Sequence, residues 1–418
     1  MFRKLVSLDE AIQVLQQQFY AKPVGIEQVS LHEALQRVLA KDIKAPLNVP
    51  PFNRATVDGY AVRAENTFRA DEEHPITLKL LGRVTVGEMP KIVVGEGTVV
   101  GIATGAPLPP EADAVVMMEY TIQKNDLISI YRPVSKGENV MEAGSDIRKG
   151  ETVIKKNQTL SSRDIGVLSA LGFTEVDVFK RPRVAVISTG AEIVEPGQPL
   201  SPRKIYDINA YTISAAVQEC GGHPFNLGII PDEIDELKAA LEKALESADV
   251  IVTSGGVSVG PMDVVPKVLN MLGEPGVIIS GIAIKPGKPT TIAIVCGKPV
   301  FSLPGHPTSS LLVFHLLIRP IILKMAGKRQ ETPFRLKATA AEKMFQAKGR
   351  RTFVMVNLVR KRVGKLLARP VPLGLSGAIT TLSKADGFVI IPERRQFINA
   401  GEEVTVYLLK PLSSLLPL

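Results

Sequence analysis

Asp249-Val-Ile-Val-Thr-Ser-Gly-Gly-Val-Ser-Val-Gly-Pro-Met-Asp263 runs from an apolar, β-branched segment through a glycine loop into the start of a helix. That is the pattern of a buried strand ending in a turn. Gly255 and Gly256 carry no Cβ, so the backbone bends sharply there and brings its N–H groups close to an anion. A second loop, Ile284-Lys-Pro-Gly-Lys-Pro289, adds the mobile cations Lys285 and Lys288 on a segment stiffened by two prolines. Together the two loops point to a phosphate or oxyanion site.

The same grammar extends on both sides. Arg183-Val-Ala-Val-Ile-Ser-Thr-Gly190 reads as an apolar strand that ends in small residues. Asp207-Ile-Asn209 then precedes an amphipathic helix, and Asp232 caps a long one with Ile234, Leu237, Leu241 and Leu245 on one face. Strands near 277–284, 291–295 and 300–303 lead to a helix over 308–325, kinked at Pro320. Strand and helix alternate, which predicts an α/β domain over 181–329: a three-layer arrangement with a mostly parallel sheet. In such sheets ligands bind at the carboxyl ends of strands. Thr189-Gly190, Ser254 to Asp263, Lys285 to Lys288 and Pro304-Gly305-His306-Pro307 all fall there.

Other segments read differently, and 418 residues suffice for several domains. Helical spacing, capped by Ser7 or Asp9, covers residues 7–39; with a capped helix from Ser161 to Gly172 it predicts a discontinuous elongated domain of 1–45 and 145–180. Between them, short strands separated by glycine and proline predict a β-rich inserted domain, 46–144, where Asp58-Gly59 reads as a turn. Residues 330–418 read as a C-terminal β-barrel. The fold class is therefore multidomain α/β.

Composition excludes several functions. No apolar run reaches the length of a membrane span, and acids stand where a leader would need apolar residues, which predicts a cytoplasmic protein. Two cysteines, Cys220 and Cys296, are too few for a disulfide framework and read as core residues. The net charge of +8 suits anionic ligands, but the densest basic cluster, Lys348-Gly-Arg-Arg351 with Arg360-Lys-Arg362, has few aromatics nearby, so it reads as a solvated hairpin face and not a nucleic-acid site. No Walker A motif, dinucleotide fingerprint or serine-hydrolase elbow occurs. Asp58, Asp146, Asp207 and Asp263 each sit beside glycine at an element edge. Singly, Asp207 and Asp263 read as helix caps. Beside phosphate-binding loops, however, carboxylates repel the ligand unless a cation lies between, and hard oxygen donors suit Mg²⁺.

Phe52-Asn-Arg-Ala-Thr-Val-Asp-Gly-Tyr-Ala61, Thr104-Gly-Ala-Pro107, Gly144-Ser-Asp-Ile147, Ser188-Thr-Gly-Ala-Glu192, Tyr206-Asp-Ile-Asn209, Ser254 to Gly260 with Asp263, Lys285-Pro-Gly-Lys-Pro289 and Ser376-Gly377 follow one another in an order that resembles the molybdopterin molybdotransferase family, which includes the E domain of gephyrin. The likeness spans essentially the whole chain. It implies a homodimer with four domains per subunit, which inserts molybdate or tungstate into adenylylated molybdopterin with Mg²⁺-dependent release of AMP, the last step of molybdenum cofactor biosynthesis. A molybdopterin adenylyltransferase would be its pathway partner.

By position, the resemblance assigns Asp207 and Asp263 to Mg²⁺ or the phosphate-linked substrate, and Lys285 and Lys288 to molybdate and phosphate. Glu192, Ser254, Gly255, Gly256 and Ser258 would line the pterin or nucleotide pocket, with Asp146, Pro304 and Gly305 also at the substrate. Asp58 and Thr104 would approach from the second domain, of the same or the partner subunit. Two positions depart from the family pattern: Met141 stands where an arginine is common, leaving any anion contact to Arg148, and His306 replaces an asparagine, which would make activity pH-sensitive. The alternatives are adenylylation of the pterin and a non-catalytic scaffold of the same fold.

Overall fold

The computed structural model of the chain describes residues 5–256, 264–329, 334–360, 365–371 and 380–409. It divides into two compact units, one of Met1–Glu27, Gln36–Ala40 and Val178–Leu418, the other of Gln28–Leu35 and Lys41–Asp177.

In the first unit a six-stranded sheet runs in the order His223–Ile230, Arg183–Thr189, Val250–Ser254, Lys298–Leu303, Thr291–Val295, Gly276–Ser280. The first four strands are parallel and the last two antiparallel. The exception to parallel pairing has a local cause. Cys296 and Gly297 both have positive φ, 51° and 73°, which makes the two-residue turn that folds Thr291–Val295 straight back onto Lys298–Leu303. Cys296 is therefore exposed at the turn, contrary to the expected core position, whereas Cys220 is buried.

Alternation along the parallel strands sends side chains to two cores. Val184, Val186, Val250, Val252, Phe301 and Leu303 pack with helices Asn209–Glu219 and Pro307–Val313. Ala185, Ile187, Ile251 and Val300 pack with Ile234–Ser247 and Val264–Leu272 on the other side. The sheet is thus covered on both faces, as β-branched runs without polar alternation require. The helical run from Pro307 to Met325 is long and apolar enough to cross a membrane, but 67% of its apolar window is buried inside the protein. A π turn, Phe314–Ile318, separates Pro307–Val313 from Arg319–Met325, with Pro320 in the first turn of the latter.

Five strands close a barrel in the order Arg351–Arg360, Leu366–Pro370, Arg335–Ala340, Glu403–Leu408, Gly387–Ile391, and back to the first. Val354, Val356, Val389, Val404 and Val406 fill it, while Phe353, Met355 and Phe388 point out to the helices of the α/β region. The two-residue strand Ile284–Lys285 adds to the outside of Arg351–Thr352.

The second unit holds a six-stranded sheet, ordered Ala114–Met117, Gly59–Val62, Thr98–Ile102, Ile76–Val84, Leu127–Ile130, Thr121–Lys124. Gly59 lies within a strand and not in a free turn, and only glycine fits there, because a Cβ would sit 1.9 Å from the Val116 carbonyl oxygen. Helix Ser162–Ala170 starts at Ser161 with a reciprocal capping box to Asp164. The helical spacing over 7–39 holds only for Leu8–Gln18, capped by Ser7. Ile26–Ser30 is a strand paired with Glu175–Phe179, and Gln36 at φ 63° breaks any helix over 31–39.

Candidate functional site

Three neighbouring parallel strands end in hydroxyl residues: Ser188-Thr189, Thr253-Ser254 and Ser302. Register pairs Ser188 with Ser254 on one face, and Thr253 with Ser302 on the other. The chain then turns sharply. Gly255 has φ 97°, and a Cβ on it would lie 2.1 Å from the Thr189 carbonyl oxygen, so only glycine fits between the two strand ends. Its N–H donates to the Leu303 carbonyl at 3.2 Å and is thereby committed to the protein, not to an anion.

Asn209, 7% exposed, ties the loops together. Its Nδ2 donates to Ser254 Oγ at 2.6 Å and to the Gly305 carbonyl at 2.8 Å. Asp207 is 4% exposed; Oδ1 accepts from the Ala210 N–H at 3.0 Å, the capping contact expected of it. The other oxygen has no partner among the described residues. Asp207 Oδ2, Asn209 Oδ1, Ser188 Oγ, Thr189 Oγ1, Thr253 Oγ1, Ser302 Oγ and Ser310 Oγ are all buried with no hydrogen-bond partner among the described residues. A buried polar atom left unsatisfied costs about 1–3 kcal/mol, so such atoms gathered at one sheet end call for an explanation. Ordered water or the polar groups of a ligand are the partners that such atoms take.

Glu192 is exposed, and its carboxylate folds over the strand end: a Cβ at Gly190 would stand 2.7 Å from Oε2. Pro304 is buried and Gly305 exposed at the turn into Pro307–Val313. The contacts therefore gather Glu192, Asp207, Ser254, Gly255, Gly256 and Gly305 around one carboxyl end. Lys285 is exposed and Lys288 half-buried; neither forms an ion pair with a described residue. Their loop packs on the body of the following helix, where a Cβ at Gly287 would meet Val313 Cγ2 at 2.7 Å.

In the second unit Asp58 and Thr104 form a pair of their own. Asp58 Oδ1 accepts from the Thr104 N–H at 2.6 Å and from its hydroxyl at 3.0 Å. The backbone N–H, then the hydroxyl, holds the carboxyl below the usual range. Asp146 is exposed, with its N–H donating to the Val49 carbonyl at 3.1 Å. Met141 Sδ lies 3.3 Å from Arg54 Nη2, so a different arginine faces the departing position. His306 is exposed at the head of the helix. Ser258, Asp263 and Ser376-Gly377 lie outside the described residues.

Sequence reasoning passed over three features. Asn209 was legible only as part of a motif, and the paired strand-end hydroxyls look like ordinary β-formers. Asp232 makes no capping bond, since the helix begins after Glu233. Its Oδ1 instead lies against the glycine loop, 3.2 Å from where a Cβ at Gly256 would be. Among the described residues, no group of three histidine, cysteine or acidic side chains is close enough to hold a metal alone.

Three family models match the chain: the MoeA N-terminal region (domain I and II) over residues 6–172, a probable molybdopterin binding domain over 185–324, and the MoeA C-terminal region (domain IV) over 337–409. A molybdopterin molybdenumtransferase of Bacillus subtilis is 34% identical over 98% of this chain and 95% of its own length. A putative molybdopterin biosynthesis protein of Methanocaldococcus jannaschii is 35% identical over 92% of each. The crystal structure of a molybdopterin biosynthesis MoeA protein from Pyrococcus horikoshii superposes with a TM-score of 0.85 at 46% identity, covering 98% of this chain and 100% of that one.

Proposed function

Because this chain belongs to the MoeA family, we propose that it is a molybdopterin molybdotransferase, acting with molybdate or tungstate on adenylylated molybdopterin and releasing AMP. The observation that carries the reading is the set of buried, unpartnered polar atoms at the carboxyl end of the parallel strands. A pterin bearing phosphates offers the donors and acceptors that those atoms lack. Ser188, Ser254 and Asn209 bind on one face of the sheet end, and Thr189, Thr253 and Ser302 on the other; Glu192 and the Gly305 turn border them.

Mg²⁺ fits this donor set through Asp207, whose Oδ2 is buried without a partner, since the ion usually takes only one or two protein carboxylates. Asp207, with Asp263, would hold it, and when bound it would offset the charge between phosphates and carboxylates. Lys285 and Lys288 attract the oxyanion, and the Thr104 contacts keep Asp58 ionised. The working form is a homodimer, which light scattering on the purified protein would test.

The decisive assay combines protein, adenylylated molybdopterin, molybdate and Mg²⁺, and follows AMP. Asp207→Asn keeps an acceptor for the Ala210 N–H and removes the charge; it should lower kcat/KM by roughly 10²–10³ with an unchanged melting temperature. Unchanged turnover refutes the assigned role. Formation of an adenylylated product from molybdopterin and ATP alone would move the chain to the adenylyltransferase class.

A further inference from the structure

The lysine loop is not a free excursion. Residues 281–285 form the middle of a three-strand ribbon. On one side Ala283 N–H donates to the Val6 carbonyl at 2.7 Å, with a parallel bridge between Val6 and Ile282. On the other, Arg351 N–H donates to the Ala283 carbonyl at 2.9 Å, and Ile284 and Lys285 pair in parallel with Arg351 and Thr352. The outer two strands are themselves fastened across the middle one. Arg351 Nη1 and Nη2 donate to Asp9 Oδ1 and Oδ2 at 2.9 and 2.7 Å, a fork-on-fork pair to the first turn of the helix that follows Val6. Arg351 Nε also lies 2.9 Å from Glu393 Oε1, an ionic contact off the line of a directed hydrogen bond, since that oxygen has no such bond.

We propose that Arg351 is a positioning residue for the oxyanion loop: by clamping Asp9 and Glu393 it closes the ribbon from which Lys285 emerges, and so sets where Lys285 and Lys288 meet the incoming oxyanion. The proposal rests on the reading that these lysines receive the oxyanion. The hydrogen bond from Arg351, ahead of their Coulombic attraction, holds the Asp9 carboxyl below its ordinary value, which keeps the pair ionised at neutral pH. The Arg351 side chain is 21% exposed and that of Asp9 73%, so solvent screens the charges and the clamp depends on its two-bond geometry.

The test uses the full-length protein with molybdate as the varied substrate, together with hydrogen exchange. Arg351→Ala should raise KM for molybdate roughly tenfold, leave kcat within about twofold, and speed amide exchange at 281–288, but not in the strand Val250–Ser254. Asp9→Asn should do the same to a smaller degree, and Asp9→Glu should restore KM. Should Arg351→Ala fail to fold, Arg351→Lys keeps the charge while losing the fork, and should show the same changes. Unchanged exchange at 281–288 in Arg351→Lys and Asp9→Asn overturns the clamp. The underlying reading fails separately, if Lys285→Ala and Lys288→Ala leave KM for molybdate unaltered.

Discussion

Two acidic centres in this chain are built in opposite ways. At the carboxyl end of the central sheet, polar atoms are buried and several have no partner. At the Asp58–Thr104 pair the groups are exposed and already bonded to each other. The first carries a desolvation cost that the described residues do not offset. The second is pre-formed and needs nothing to complete it. Burial decides the difference: an unmet hydroxyl in water loses little, whereas one sealed between a sheet and its helices keeps its desolvation cost.

Gly255→Ala would break the first centre at its tightest point. With φ at 97° and the new methyl 2.1 Å from the Thr189 carbonyl oxygen, the change should cost about 4 kcal/mol or more, read as a fall in unfolding midpoint. A variant as stable as the parent would mean that the strand ends are not locked together.

Acid separates the two regions next. Behind the sheet end, burial, and secondarily the Arg319 charge, pushes His315 down to about 4. Unfolded, the ring takes a proton near pH 6.5, so its contribution to stability is complete above that value and declines as pH falls towards about 4, by roughly 3 kcal/mol in total. Asp58 works in a lower window. Its depressed carboxyl contributes above the ordinary carboxylate value and loses that contribution only as pH falls below it, weakly because the group is exposed. Unfolding at pH 7 and 4.5 should therefore show a slope that His315→Gln removes, while Asp58→Asn leaves it in place.

The smallest effect sharpens the contrast most. Thr253→Val deletes an unpartnered buried hydroxyl at nearly constant volume, and should raise the stability of the ligand-free protein by about 1 kcal/mol while weakening substrate binding. Thr104→Val, at a bonded and exposed hydroxyl, should shift stability by no more than about 0.5 kcal/mol in either direction. Calorimetry of both variants checks the sign.

Much of this architecture could be read from residue patterns. The apolar runs at 183–189 and 250–254, the capped helices after Ser7 and Ser161, and the barrel strands follow from periodicity and caps, which are local. The misread places depend on single backbone angles or on distant neighbours. Gln36 looks compatible with helix until its φ is known, and Cys296 looks apolar enough for a core until the turn places it outside. The site divides similarly. Glycine loops and lysines were visible, but Asn209 acquires its role from Ser254 and Gly305, 45 and 96 residues away. Asp232 had every appearance of a helix cap, and only the folded loop shows its carboxylate against Gly256.

The tight turn that reverses the chain after Val295 also makes the polypeptide singly addressable. Of its two sulfhydryls, Cys220 is buried and pushed up to about 11, so it stays un-ionised and slow to react. Cys296 stands in the open. A maleimide dye or spin label would therefore attach at one place per molecule without mutagenesis, giving a reporter on the turn between the sheet's fourth and fifth strands.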